Sequence, residues 1–217
     1  MIRNLKILGL SVVAVLAMSA VAASAASAQT PGTFTAHEYP ATITGEQIGT
    51  DVFTTVAGTV SCTHATYHGS AAGPQTSLTI APSYTGCKAF GLFNATIDMN
   101  GCQYRFNQPV TEEANKYTGT VDVVCPEDTE ITITTSVCRV TVPSQNGLSQ
   151  ITYENTPSAT PTDVDVTVNI DEQITYTVDP GCATASAGTY HDGSYVGAAT
   201  VDADNELEET IGVSISD

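Results

Sequence analysis

Asn94-Ala95-Thr96-Ile97-Asp98-Met99-Asn100-Gly101-Cys102-Gln103-Tyr104-Arg105-Phe106 is the stretch from which the fold class of this chain can be read. Asn-Gly is the strongest short signal for a two-residue turn, because both central residues of that turn need positive φ. A reversal at Asn100-Gly101 pairs Met99 with Cys102, Ile97 with Tyr104 and Ala95 with Phe106 on one face. Thr96, Asp98, Gln103 and Arg105 then take the other face. One placement of the turn sorts both strands into an apolar and a polar side, as an antiparallel sheet with one buried face requires.

The same reasoning extends along the chain. A reversal at Asn146-Gly147 pairs Val142 with Ile151 and Val140 with Tyr153, and one through 171–173 pairs Ile170 with Ile174, Val168 with Tyr176 and Val166 with Val178. Further strands are expected in Ala41–Thr44, Val52–Cys62, Leu78–Ala81, Tyr117–Cys125, Glu130–Thr134, Tyr195–Ala203 and Thr210–Ile215. Past residue 28 there are only four Leu against seventeen Val and eleven Ile, and the whole chain holds 34 Thr; branched side chains suit a pleated surface better than a helix. Helical periodicity is absent there, which argues against crossover α/β folds. The expectation is an all-β fold of roughly ten to twelve short strands. Their apolar faces must cover one another, as an antiparallel sandwich or a partly closed barrel, and the sandwich is favoured. Residues 29–217 read as one such domain, with the Pro-bearing stretch 143–161 as the place for a seam between two half-domains.

The first 28 residues read differently. Arg3 and Lys6 precede an apolar run, 7–21, and then the small residues 22–28, the three regions of a secretory signal peptide with its cut after Ala28. A membrane anchor is the competing reading, but the run is short for a span and lacks a stop-transfer flank. Removal of this segment takes two basic residues and no acidic one, moving the formal charge from −17 to −19. Such a surface disfavours nucleic acid and anionic lipid heads; it suits cations, basic partners, a salty habitat or plain solubility. Hydrophobic residues at 41% against 13% charged argue against disorder.

Six cysteines, all in the exported part, favour disulfides over thiols. Cys102 and Cys125 share parity with the apolar residues of their strands, so both point inward. Of fifteen connectivities the preferred set is Cys62–Cys87, Cys102–Cys125 and Cys138–Cys182.

No constellation carries a compelling chemistry. Cys62, His64 and His68 have the ligand types and the alternation of a zinc site, but export opposes the reduced thiolate that zinc needs. His191, Asp192 and Ser194 supply the residue types of a hydrolytic triad, yet their adjacency reads better as a polar turn, and no G-x-S-x-G elbow occurs. Asp202, Asp204 and Glu206 are the calcium candidates, although Leu207 stands where a calcium loop would need Gly. Asn94 opens a glycosylation acceptor, and nine Tyr without Trp leave only a modest aromatic platform for sugars.

Gly86-Cys87-Lys88-Ala89-Phe90-Gly91, the run 100–106 and Gly193-Ser194-Tyr195-Val196-Gly197 together resemble uncharacterised exported β-rich proteins of high-GC Gram-positive bacteria. The resemblance implies no activity and no functional residue. The expected function is that of a non-enzymatic secreted or cell-surface protein without cofactor. It would bind a surface polymer, a protein or calcium through faces, loops or an unpaired edge strand. The alternatives are an exported hydrolase acting on polysaccharide and a calcium-dependent adhesive module.

Overall fold

The structure, a computed structural model, describes residues 31–156 and 161–216; the expected signal peptide lies outside them. All regular elements are strands: β1 (Thr33–Ala36), β2 (Ala41–Gln47), β3 (Asp51–Thr55), β4 (Gly58–Cys62), β5 (His64–Ala71), β6 (Ser77–Thr85), β7 (Lys88–Ala89) and β8 (Phe93–Asp98). There follow β9 (Gln103–Glu113), β10 (Lys116–Val124), β11 (Ile131–Thr135), β12 (Arg139–Val142), β13 (Gln145–Thr156), β14 (Asp163–Val178), β15 (Gly188–Asp204) and β16 (Val213–Ser216). The all-β, antiparallel, disulfide-stapled fold expected from composition and alternation is therefore present, in sixteen segments rather than ten to twelve.

The registers show why the segments are so many. In the β9–β10 ladder Val124 stands opposite Gln103, and past an interruption Thr132 of β11 stands opposite Asp98 of β8. Hence β8 and β9 lie end to end along one course, and β10 and β11 along the next. Likewise β2 continues into β3 along β15, β4 into β5, β6 into β7, and β12 into β13 along β14. Eight long courses result, each antiparallel to the one before it in sequence. The last, β15, pairs with the first, β2 and β3, so the sheet closes into a barrel. Its two covering layers are thus opposite walls of one sheet. Among the described residues every strand of the main sheet is paired on both sides, so this sheet presents no free edge strand.

The three expected hairpins are corrected by these registers. Asn100 (φ 48°) and Gly101 (φ 81°) do form the tight turn, closed by the Cys102 N–H donating to the Met99 carbonyl at 2.7 Å. But β8 and β9 do not pair with each other; the turn is a crook within one course. At 146–147 only Gly147 takes positive φ, and β12 and β13 both run against β14, so Val142 never meets Ile151. At 171–173 the chain passes through a bulge at Glu172 (φ 50°) and β14 continues to Val178. A bulge re-aims a strand without reversing it. The expected strand Val52–Cys62 errs the other way, since it is a real hairpin of β3 and β4 with Thr55 opposite Gly58.

Two of the disulfides sit where courses are interrupted, and the third lies in the loops that flank β12 and β14. Cys62–Cys87 joins the second and third courses, Cys102–Cys125 the fourth and fifth, and Cys138–Cys182 the sixth and seventh, with Cα separations of 4.0, 4.0 and 4.1 Å. Closed disulfides fit an oxidising compartment. No helix among the described residues is long and apolar enough to cross a membrane.

One mouth of the barrel is covered by β1 pairing with β16. Phe34 of this pair packs edge-on against Tyr153 at 5.5 Å, and the buried Asn155 side chain both donates to the Ile215 carbonyl and accepts from its N–H, each at 2.8 Å. A single apolar core runs from this cap, through Ile43, Leu78, Val121 and Ile151, to Ile133 and Val178 in the other half.

Candidate functional site

Alternation along the courses aims one residue in two into the barrel, and most of these are aliphatic. Five polar exceptions gather at the waist. Asp51 opens β3, and Tyr67 of β5, Tyr84 of β6, Tyr104 of β9 and Tyr195 of β15 approach it from neighbouring courses. The Tyr67 hydroxyl donates to Asp51 Oδ2 at 2.8 Å, the Tyr84 hydroxyl donates to that of Tyr104 at 3.1 Å, and Tyr84 and Tyr195 share a hydrogen bond of 3.3 Å. Tyr67 and Tyr84 also meet edge-on, with centroids 6.4 Å apart.

Asp51 is 2% exposed, and its Oδ1 has no hydrogen-bond partner. Tyr195 and the Ala198 peptide lie near enough to lower the carboxyl's pKa, yet neither closes a bond onto Oδ1. Burial outweighs these contacts and the Tyr67 bond, so the pKa is raised above the ordinary carboxylate value. Burial also holds Tyr67, Tyr84, Tyr104 and Tyr195 above the usual phenol range, with neighbouring ionisable groups adding to the shift, so all four stay neutral phenols at physiological pH.

These groups line one side of an interior cavity of about 130 Å³. The opposite wall is aliphatic, built from Val121, Val123, Ile133, Leu148, Val166 and Ile170. All four tyrosines are half-buried. Toward the capped mouth, the Tyr153 hydroxyl on the same cavity also lacks a partner. Buried polar atoms are nearly always paired, so two orphans on one cavity call for an explanation. Gly197 belongs to the same design. A Cβ there would come within 2.3 Å of Asp51 Oδ1 and 3.0 Å of the Tyr195 hydroxyl, so only glycine lets the carboxyl settle against β15.

The residues singled out from sequence lie elsewhere. Cys62 is in a disulfide and cannot offer zinc a thiolate, and His64 and His68 are both exposed on β5. His191 Nδ1 bonds Thr175 Oγ1 at 3.0 Å, Asp192 accepts from the Tyr176 hydroxyl at 2.8 Å, and Ser194 Oγ donates to Asp171 at 3.3 Å. The three side chains are thus engaged separately. Burial and the Asp192 bond push Tyr176 up to about 12. Asp202 and Asp204 stand on β15 opposite Thr44 and Thr42, and Glu206 is exposed in the following turn. Burial, Asp163 and Asp204 raise the Asp202 pKa. Among the described residues no group of three or more His, Cys, Asp or Glu is placed to hold a metal ion. Asn94 is exposed on β8 and accepts from Lys88 Nζ at 2.6 Å.

The waist cluster escaped the sequence reading because its members are scattered from residue 51 to residue 195. The one available signal was parity: Tyr104 shares its face with Cys102 and Phe106, which already places its hydroxyl inside a barrel with no local partner. No family model, curated protein or solved structure matches the chain.

Proposed function

We propose that this is an exported, non-enzymatic binding protein that holds a small guest molecule inside its barrel. The observation that carries the reading is the two-sided cavity, aliphatic on one wall and tipped by an unpartnered buried carboxylate oxygen on the other. An eight-course barrel is just wide enough to be filled by its own side chains or to keep room for one small ligand. A site lined mainly by apolar groups with few polar ones is the usual form of a small-molecule pocket. Export is supported by the signal-like segment before residue 29 and by three closed disulfides, which persist outside a reducing cytosol.

Uptake of a benzene-sized probe tests the reading. An apolar cavity of ~150 Å³ is large enough to bind benzene. Titration with toluene, followed by proton–carbon NMR, is expected to give saturable shifts at methyls of Val121, Val166 and Ile170. Unchanged methyl spectra at saturating toluene would remove the proposal.

A further inference from the structure

Resting on that reading, we propose that the guest is a small organic cation, a primary ammonium carried on a compact apolar group, with its charge at Asp51 and its apolar part against the aliphatic wall. Asp51 Oδ1 is enclosed and unpartnered, and the carboxyl lines the cavity. The groups facing it are Tyr67 on β5, Tyr84 on β6, Tyr104 on β9 and Tyr195 on β15; none is cationic. The carboxylate therefore has no internal counter-ion. Removing an ionised carboxylate from water without a partner is costly, and an ammonium would supply both the charge and the missing donor. Aromatic rings add to this, because their faces attract cations, most strongly where water is excluded.

The chemistry discriminates among guests of one shape. A carboxylate guest would meet like charge at Asp51. A neutral alcohol could donate to Oδ1 but would leave the charge unbalanced. The acidic exterior favours entry of a cation over an anion.

Benzylamine, benzyl alcohol and toluene share one ring and differ in the group offered to Asp51. Isothermal titration of the mature protein at pH 7 is expected to show benzylamine binding at least ten-fold more tightly than benzyl alcohol. Asp51→Asn should abolish that preference while toluene still binds, and its near-ultraviolet circular dichroism shows whether it has folded. An arm without any variant is the pH series on the wild type. The amine preference should fall as acid protonates Asp51, since the four facing phenols stay neutral throughout. Equal affinity for amine and alcohol, or a preference kept by Asp51→Asn or at every pH, overturns the ammonium assignment. Toluene binding with no amine binding overturns it too but leaves the guest-binding reading standing; binding of none of the three overturns both.

Discussion

At the scale of single residues, two buried carboxylates behave oppositely. Asp122 is 5% exposed, accepts from Arg105 Nη2 and from the Gly147 N–H, both at 2.7 Å, and is thereby tied to two courses. Burial alone would raise its pKa, but these bonds and the guanidinium charge hold it below the ordinary value. Its contribution to stability is present above the unfolded carboxyl pKa and lost as pH falls through the lower folded value. For Asp51 the folded value is the higher one, so its contribution is fully present below the unfolded pKa of 3.8 and lost as pH rises through the folded value. Chemical denaturation of Asp51→Asn and Asp122→Asn against wild type from pH 3 to 8 should show difference curves of opposite slope. Asp51→Asn should gain on wild type as pH rises and Asp122→Asn should lose; parallel curves would contradict the two environments. Gly197→Ala is expected to cost about 1–3 kcal/mol, because its methyl displaces the Asp51 carboxyl in a packed wall. A melting curve unchanged from wild type would mean that the wall yields.

At the scale of elements, inward and outward faces were legible in the sequence, while the direction of the chain was not. Ile170 and Ile174 lie on one face whether the strand reverses at Glu172 or runs straight on, since both alternatives preserve an even spacing. Alternation therefore could not distinguish a hairpin from a bulge. Asn100-Gly101 took the local conformation its residue types demand, but partners for β8 and β9 came from β11 and β10, which local chemistry does not specify. The interruptions are held by side chains acting in place of backbone. Gln145 donates through Nε2 to the Thr175 carbonyl at 3.1 Å and accepts through Oε1 from its N–H at 2.9 Å, bridging the gap between β12 and β13. Gln145→Ala should cost about 1–3 kcal/mol for two lost bonds, measured by urea unfolding with an unchanged m-value. Replacing Cys102 and Cys125 together by Ser opens a loop with a sequence separation of 23. About 3 kcal/mol should be lost on the chain-entropy account, or a melting point lower by roughly 6–12 °C. A loss within error would show the neighbouring ladder to be sufficient alone.

At the scale of the whole molecule, closure of the sheet separates a continuous ladder from its two-stranded cap. Amides of Val121, Val166 and Tyr195 lie within the ladder, whereas the β1–β16 ladder is four residue pairs long and joins its surroundings through the isolated bridges Phe34–Gln75 and Pro31–Val110. Native-state hydrogen exchange should find the cap opening at lower free energy than the barrel amides, which should exchange together near the global limit. Exchange of both sets at one rate would make the cap part of the same cooperative unit. The closing seam joins β15 to β2 and β3, the most distant courses in sequence, and Asp51 stands on one side of it with Tyr195 and Gly197 on the other. Sealing that seam should therefore also assemble the carboxyl pocket, and loop-closure entropy makes such remote pairing slow. A molecule able to grip both lips of the seam would act as a clasp during maturation as well as a passenger afterwards, slowing the rate at which the ring springs open.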